Sequence, residues 1–406
     1  MKRKLIAVMV AAQMLVTLCP AGTVMAAEAE STQAVEEEND QAAGAENTQA
    51  AEEESEQADE ENTQAVVVEQ DEDTQLYGAT AESNFSWDGD TITGYNGSST
   101  KIVIPGRAKK IGYRAFSEKN VVSVEIPDSV TEIGNFAFAE CTSLTSIVIP
   151  KNVSKVGVGV FQNDRNLSYC EIKNPDLKEF GNGSFDDCKK LKTVVLPANL
   201  KKIPGSMFQD ANYLEEITIP ESVTEIGNFA FSGCSSLTSI VIPKNVSKVG
   251  VGVFQNDRNL SYCEIKNPDL KEFGNGSFDD CEKLKTVVLP DGLKKIPGSM
   301  FQDANYLEKI TIPESVTEIG SFAFSRCTSL KEIVIPKNVM KIGVAAFYKG
   351  TNLESVTVKA PEVEYAGDSV YNEDPKVTLH CYIDSTSVAY AKKYGIKYDT
   401  SLGKNL

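Results

Sequence analysis

Histidine is almost absent from this sequence, and its scarcity limits the chemistry that the chain can support. The 406 residues contain one histidine, His380, and one tryptophan, Trp87. A Ser-His-Asp or Cys-His nucleophilic site needs a histidine base, and a multi-histidine zinc site needs several histidines. No pair of a base and an orienting residue is recognisable around His380. We therefore predict no enzymatic activity, no cofactor and no metal site, and we expect His380 to be a surface or packing residue.

Basic residues are missing from a long N-terminal stretch. None occurs between Lys4 and Lys101, whereas residues 28–73 contain 18 aspartates and glutamates. The formal net charge is −18, but residues 74–406 have 40 acidic and 37 basic residues, a balance of −3. Nucleic-acid binding depends on Lys and Arg displacing counterions from phosphates; because the sequence has no basic stripe, we predict no nucleic-acid partner. Residues 27–76, rich in Ala, Glu, Gln and Thr, are predicted to be an acidic disordered spacer.

A long apolar run is also lacking. Residues 5–18 form a mostly apolar run of 14 residues, which is shorter than the roughly 20 residues that span a bilayer as a helix. Lys2 and Lys4 precede this run, and Val24 and Ala26 offer the small residues that signal cleavage requires. The sequence therefore predicts a signal peptide over 1–26, export of the chain, and no membrane span after the signal is removed.

A repeat of about 23 residues fills most of the remaining chain. Lines of the form Ile-Pro-x-x-Val-x-x-Ile-Gly-x-x-Ala-Phe-x-x-Cys-x-x-Leu-x-x-Ile-x recur eleven times over 104–357. Alternating apolar residues, such as Ile147 and Ile149, predict a short strand, and a proline such as Pro150 ends it. A second short extended piece follows, and Gly-x-x-Ala-Phe predicts a helical or 3₁₀ turn. One unit cannot bury its own apolar side, so the units must stack as a solenoid.

Two further regularities lie on top of this repeat. Eleven of the 17 phenylalanines occupy one repeat position, which predicts a column of rings in the core. Residues 126–218 and 219–311 differ at 8 of 93 positions, so a block of four coils has been duplicated. A third copy opens at residue 312 and diverges after Val339. The predicted column of rings consists of Phe116, Phe138, Phe161, Phe185, Phe208, Phe231, Phe254, Phe278, Phe301, Phe324 and Phe347.

The cysteines are predicted to be buried free thiols. Eight of the nine follow the signal peptide, and an even number in an exported protein suggests disulfides. Five of them share one repeat position but lie two coils apart, which corresponds to about 9–10 Å at the spacing of strands. A disulfide needs Cα atoms within about 7 Å, so neither pairing nor shared metal binding fits. These five are Cys141, Cys188, Cys234, Cys281 and Cys327, while Cys170 and Cys263 align with the core residue Ile147.

The repeated line resembles a known family. Leu-x-x-Ile-x-Ile-Pro with Ile-Gly-x-x-Ala-Phe-x-x-Cys is similar to the BspA-like leucine-rich repeat family of bacterial surface and secreted proteins. The resemblance implies a β-rich leucine-rich repeat solenoid of eleven coils over 104–357, with an N-terminal cap over 77–103 and a C-terminal cap over 358–406. It also implies a cell-surface or secreted, adhesin-like protein.

Each cap has its own local signal. Residues 87–95 resemble the hairpin that opens such domains, with Asp88-Gly89 as its turn. Near the other end, Ser385 is expected to cap a short helix that runs through Tyr394 and stops at Gly395.

The outward positions of the repeat strands are the candidate binding surface. In a leucine-rich repeat they are expected to face the concave side, and here most are small or β-branched, from Ser146 and Val148 to Thr357. Tyrosines anchor interfaces well, and a charged pair beside a tyrosine can orient a ligand. The exceptions among these small residues are Tyr169, Glu171 and Lys173 with their copies Tyr262, Glu264 and Lys266. We predict that these six residues contact an extracellular protein of a host matrix or a neighbouring cell.

Other interpretations stay open at this point. The same charged residues also fit a structural role, since charges on strands discourage sheet aggregation. The chain could be a self-associating structural protein of a surface matrix, in which case homo-association would need no ligand. A carboxylate-dependent glycan hydrolase would need two acids about 5–10 Å apart in a cleft, which repeated acids on an array do not supply. The pairs Asp186-Asp187 and Asp279-Asp280 lack the alternating spacing of a calcium loop.

Overall fold

The computed structural model describes residues 79–367, 369–371 and 376–405. The predicted signal peptide, 1–26, and the predicted acidic spacer, 27–76, lie outside these described residues. Within them the chain winds as a β-solenoid of about thirteen turns, so the predicted fold is confirmed.

Each coil contributes short strands of two to five residues. The bounds are β1 (Phe85–Asp88), β2 (Thr91–Tyr95), β3 (Lys101–Val103), β4 (Lys110–Ile111), β5 (Ser123–Glu125), β6 (Glu132–Ile133), β7 (Ser146–Ile149), β8 (Lys155–Val156), β9 (Tyr169–Ile172), β10 (Thr193–Val195), β11 (Lys202–Ile203), β12 (Glu225–Ile226), β13 (Ser239–Ile242), β14 (Lys248–Val249), β15 (Tyr262–Ile265), β16 (Thr286–Val287), β17 (Lys295–Ile296), β18 (Glu318–Ile319), β19 (Glu332–Ile335), β20 (Lys341–Ile342), β21 (Ser355–Val358), β22 (Glu364–Tyr365), β23 (Thr378–His380) and β24 (Lys397–Asp399). A short 3₁₀ helix, Glu82–Asn84, and one α-helix, α1 (Thr386–Tyr394), complete the secondary structure of the described residues.

These strands lie in two parallel ladders, which are interrupted into four sheets and three sheets respectively. We call the outer surface of the first ladder the strand face; it comprises β3, β5, β7, β9, β10, β13, β15, β16, β19, β21, β23 and β24. The second ladder contains the remaining strands, and only β1 joins it antiparallel. Pairing is in register, so that Ile147 lies beside Cys170. The ladders run past both ends of the sequence repeat, because β2 pairs with β4 and because β23 and β24 continue from β21.

A third set of hydrogen bonds joins the coils at their turns. Instead of the predicted helical or 3₁₀ turn, Gly-x-x-Ala-Phe forms consecutive turns in which alternate N–H groups point to the next coil. Phe136 N donates to Val158 O at 2.8 Å, and Phe138 N donates to Val160 O at 3.0 Å, whereas Ala137 N bonds within its own turn. Phe136 has a φ of 55°, and a left-handed residue recurs at this position along the stack. Left-handed residues break helical progression, so these N–H groups are free to bond between coils.

The predicted ring column is confirmed and is longer than the sequence indicated. The eleven phenylalanines stack at centroid distances of 5.0–5.7 Å, with ring planes within 21° of parallel. Tyr95 extends the column at one end and Tyr371 at the other. All eleven phenylalanines are at most 1% exposed, so the column is the core of the solenoid.

A row of alternating charges follows the second ladder. Lysine and glutamate alternate from one coil to the next, and six ion pairs of this row join N and O atoms at 2.6–3.9 Å. Glu132 and Glu225 each lie between two lysines, and the hydrogen bonds from Lys155 and Lys248 are the largest cause that lowers the pKa of each glutamate. The row consists of Lys110, Glu132, Lys155, Glu179, Lys202, Glu225, Lys248, Glu272, Lys295, Glu318, Lys341 and Glu364.

Both caps differ slightly from the sequence prediction. Asp88 pairs with Thr91, so the two-residue loop of the predicted hairpin is Gly89-Asp90 rather than Asp88-Gly89. Gly89, with a φ of 59°, occupies the left-handed position that such a loop requires. Ser385 stands at the N-cap of α1, but its hydroxyl donates to Tyr382 O at 2.8 Å instead of capping the helix. Gly395 ends the helix in the left-handed conformation, as predicted.

The predicted state of the cysteines is confirmed. All eight cysteines within the described residues are free and buried. In the five-membered column each thiol donates to the carbonyl oxygen of a ring-column phenylalanine, as Cys141 Sγ does to Phe116 O at 3.0 Å. Cys170 and Cys263 lie on inward strand positions with no exposed surface.

Thiol titration tests this arrangement. For the chain without residues 1–26, we expect all eight cysteines to react with a thiol reagent in denaturant without reductant. In the native state we expect little reaction, because the sites are closed and burial raises the pKa of thiols such as Cys188 and Cys234. A denatured, unreduced chain that shows no reactive thiols would contradict this register.

Candidate binding surface

The strand face presents the outward positions that the sequence predicted. In β7, Ile147 and Ile149 are buried whereas Ser146 is exposed, and the same alternation recurs along the ladder. Several outward residues are apolar, and Val195 and Val288 are 57% and 66% exposed. The strand face is therefore a surface of short side chains, with larger groups at a few positions.

The two predicted tyrosines project from equivalent strands four coils apart. Tyr169 in β9 lies between Ser146 and Thr193 of the adjacent strands, so small residues flank its ring. Burial, followed by the charge of Glu171, raises the pKa of the Tyr169 phenol. Tyr262 occupies the same place in β15 and is 41% exposed.

Each predicted lysine stands directly after its strand, where most coils have proline. Because lysine keeps its backbone N–H, Lys173 N donates to Ile149 O at 2.9 Å, a bond that proline cannot make. Lys266 and Lys359 make the same bond in their own blocks, each at 2.9 Å. Each strand that precedes one of these lysines, β9, β15 or β21, has partners on both sides.

Three equivalent grooves cross the strand face, with volumes of 260–430 Å³. Seven positions, spaced by 93 residues, recur in all three linings. An acid and a lysine lie at the two ends, and a valine and a proline lie between them. The central groove contains Glu221, Val241, Pro243 and Lys266; the others contain Asp128, Val148, Pro150 and Lys173, and Glu314, Val334, Pro336 and Lys359.

The grooves coincide with interruptions of the first ladder. Among the described residues, β5 pairs with β3 but not with β7. Residues 216–218 and 309–311, the equivalents of β5 in the next two blocks, belong to no strand. On the groove side, the backbone groups at these points therefore have no strand partner, and they border the groove floors.

The structure thus separates the predicted residues into two groups. Lys173 and Lys266 line grooves, whereas Tyr169 and Tyr262 stand beside them on the outward row. The sequence interpretation missed Lys359, the acids at the opposite ends and the Val-Pro floors. Lysine in place of proline in every fourth coil is visible in the sequence and could have indicated the third groove.

Several other polar groups that the sequence analysis singled out are paired within the described residues. His380 Nδ1 lies 2.6 Å from Asp399 Oδ2, so an orienting acid does exist, one that the sequence spacing concealed. No group of three or more His, Cys, Asp or Glu side chains in the described ranges could hold a metal ion. Asp187 is paired with Arg165 and Lys189, and Asp186 accepts a hydrogen bond from Gln162.

Two buried carboxyl groups interrupt the cysteine column. Asp164 takes the cysteine position between Cys141 and Cys188, and Asp257 takes it between the equivalent residues of the next block. Burial raises the pKa of Asp164 and of Asp257 well above the usual range. Asp164 accepts a hydrogen bond from Cys141 N at 2.7 Å. For Asp257, the backbone N–H groups of Cys234 and Gly233 lower the pKa but offset only part of the effect of burial. Burial therefore disfavours the charged form of both carboxyl groups in the folded chain.

Replacing Asp257 with cysteine, the residue at the same position in both adjacent coils, is therefore expected to stabilise the fold at neutral pH by about 1–3 kcal/mol. Because the folded-state pKa of Asp257 is raised, the folded chain holds this proton more tightly, and stability decreases as pH rises from about 4 upwards. The gain should therefore be largest at pH 7–8 and should shrink towards pH 4. Urea unfolding measured at several pH values checks this slope.

Asp291→Ala is a matched control, since Asp291 is exposed and the first block has alanine at this position. Its effect should be small and should not vary with pH as that of Asp257→Cys does. An equal gain for Asp257→Cys at every pH would contradict the protonation argument.

The repeat region of this chain is similar to bacterial leucine-rich repeat proteins. Residues 94–215, 201–317 and 294–387 match the family described as the BspA type leucine rich repeat region, in six copies. A leucine-rich repeat protein from Bacteroides ovatus is similar, with 27% identity, a TM-score of 0.64, and coverage of 74% of this chain and 83% of that chain. A leucine rich cell surface protein from Faecalibacterium prausnitzii shares 24% identity over 72% of this chain and 95% of that one, with a TM-score of 0.49.

No curated protein matches the chain. In the part of the chain that the structure describes, no helix is both long and apolar enough to cross a membrane.

Proposed function

Because the chain belongs to the BspA-type leucine-rich repeat family, we propose that it is an exported, non-enzymatic binding protein that presents its strand face to an extracellular protein. This function is adhesin-like: the partner is a matrix protein of a host or a surface protein of a neighbouring cell. Proteins of this family are typically found at the cell surface, which supports display at the surface of a bacterium.

The strand face carries this proposal. Its short outward side chains form a surface on which a protein partner can lie closely, and protein interfaces favour tyrosine at their centres. Tyr169 and Tyr262 provide such anchors four coils apart, a distance of about 19 Å at the spacing of strands. Glu171 and Glu264 lie on the same row as the exposed valines and can orient a partner by charge.

A binding panel with alanine variants tests this assignment. The full chain is immobilised against purified extracellular matrix proteins and bacterial surface proteins, and the affinity for each bound protein is measured. The double variant Tyr169→Ala with Tyr262→Ala should lose at least about tenfold in affinity, the effect expected of interface anchors. Unchanged affinity would show that the partner binds elsewhere.

The chain offers a matched control pair. Tyr213 and Tyr306 are also four coils apart and each is 52% exposed, but they lie in turns outside the strand face. Tyr213→Ala with Tyr306→Ala should leave affinity unchanged. An equal loss for both pairs would indicate a general effect of removing surface aromatics.

A second candidate function is self-assembly of the chain in a surface matrix. The observation that favours it is the apolar outward row that includes Val195, Val241, Val288 and Val334, since exposed apolar groups promote association. Sedimentation of the full chain over a range of concentrations discriminates the two candidates. Concentration-dependent growth without a ligand would favour self-assembly.

A further inference from the structure

We infer that the strand face binds one extended, repetitive polypeptide through its three equivalent grooves. The inference rests on the proposed function and names the class of partner. Each groove receives a segment with a basic and an acidic residue three positions apart, and the segment recurs along the partner.

The charges at the two ends of each groove set the chemistry of the segment. Glu221 lies at one end of the central groove and Lys266 at the other, with Val241 and Pro243 between them. A segment that places a cation at Glu221, a carboxylate at Lys266 and a small apolar residue over Val241 satisfies every one of these groups. The other two grooves present the same order of acid, apolar floor and lysine. In one of them the acid, Asp128, is paired with the exposed Lys151 at 3.1 Å, and a cation of the segment would have to replace this surface ion pair.

The distance between these charges determines the spacing within the segment. Glu221 and Lys266 belong to coils two apart, which corresponds to about 10 Å along the solenoid. An extended chain rises about 3.3 Å per residue, so three residues cover this distance. The partner's cation and carboxylate are therefore at positions i and i+3 of an extended segment.

The distance between grooves determines the repetition. Equivalent grooves lie four coils apart, or about 19 Å, which about six residues of extended chain span. A partner with a motif every six residues, or with flexible linkers of greater length, reaches all three grooves in one chain. Linking binding segments in this way raises affinity by about 10²–10⁴-fold without new contacts.

The interrupted ladder adds a second reason for a peptide. Residues 216–219 border the central groove but lie outside the regular ladder, so their backbone groups are not paired in a sheet. Polar side chains and peptide groups of an extended segment can hydrogen-bond there, whereas the groove linings contain no aromatic ring on which a sugar could stack.

Defined peptides test the inference on the full chain. Two three-copy probes are used. One repeats Arg-Val-Thr-Glu-Gly-Ser, and the other repeats the reversed order Glu-Thr-Val-Arg-Gly-Ser. One copy alone and a shuffled probe, Arg-Glu-Val-Thr-Gly-Ser, serve as peptide controls. We expect the three-copy probe in at least one order to bind about 100-fold tighter than one copy. The shuffled probe should bind at least tenfold more weakly, at about 150 mM salt.

Charge reversal in the grooves provides the second arm. The variant Lys173→Glu, Lys266→Glu and Lys359→Glu should lose at least about 100-fold in affinity for the three-copy probe. Its matched control, Lys178→Glu, Lys271→Glu and Lys294→Glu, has the same net charge but leaves the grooves intact. That control should stay within about threefold, because salt screens distant charges. Urea unfolding verifies that both variants are folded.

Several results would overturn the inference. These are failure of the three-copy probe to bind at millimolar concentration, equal binding of the shuffled probe, and equal losses in the groove and control variants. Loss of self-association in the groove variant, with probe binding retained, would assign the grooves to a second copy of the chain. If a panel protein binds the native chain and the groove variant equally, the proposed function stands and the inference about the grooves is wrong.

Discussion

Phe231→Ala is expected to lower the free energy of unfolding by about 3–5 kcal/mol, the range for phenylalanine truncation in a packed core. Phe231 has no exposed surface, and its ring stacks on Phe208 at 5.4 Å and on Phe254 at 5.7 Å. Truncation at this point therefore removes contacts with both adjacent coils. Because each coil contacts only its neighbours, the loss is concentrated at one junction of the solenoid.

Urea unfolding measures the total loss, and hydrogen exchange shows where it occurs. We expect faster exchange at amides of the adjoining coils, with the distant coils less affected. Phe229→Ala is a control in the same coil, because Phe229 is 37% exposed and outside the ring column. Equal destabilisation by the two substitutions would contradict the importance of the ring column.

Gly274→Ala should have the second largest effect, a loss of about 3 kcal/mol, the upper part of the usual range for overpacking. A Cβ atom at Gly274 would lie 2.3 Å from Gly250 C and 2.3 Å from Val251 N, which are backbone atoms of the preceding coil. Backbone atoms cannot move aside as a flexible side chain can, and Gly274 N also donates to Val249 O at 2.9 Å. The coils would have to separate to admit one methyl group.

Gly106→Ala provides the comparison, since nothing lies within 4 Å of a Cβ atom at that glycine. It should change the urea midpoint little. A Gly274→Ala variant with native stability would show that neighbouring coils separate easily at this point. The two glycines thus distinguish close approach of coils from the general cost of replacing glycine.

The fold was predictable because equivalent positions in a stack must meet equivalent demands. The repeat positions of Phe231 and Ile240 recur at a fixed period, so the burial of these two positions in one coil predicts their burial in the other coils. The turn conformation was less predictable, because its left-handed residues are of several types. Phe229 and Ser206 occupy the same position with φ values of 56° and 54°, although neither residue favours this conformation locally. Hydrogen bonds between coils impose it.

The candidate site was predictable only in part. Tyr262 and Lys266 stood out because they differ from their equivalents in the adjacent coils. A groove, however, is formed by residues of successive coils at a point where the ladder is interrupted. Glu221 and Val241 are unremarkable within their own lines, and their relation to Lys266 depends on three-dimensional stacking. The His380–Asp399 pair was hidden for the same reason, since its members lie on adjacent strands.

The alternating charges of the second ladder restrict how such a protein can change its length. Deleting one coil, residues 149–171, would place Glu132 next to Glu179, a pairing of like charges that destabilises adjacent strands. Deleting the block 126–218 would instead place Lys110 next to Glu225 and preserve the alternation. Recombination between the two nearly identical blocks removes or adds 93 residues, and with them one groove. The alternation allows only even numbers of coils, and recombination between the blocks exchanges four coils at a time. Changes in length are therefore expected in steps of 93 residues, and each step also changes the number of ligand segments that one molecule can hold.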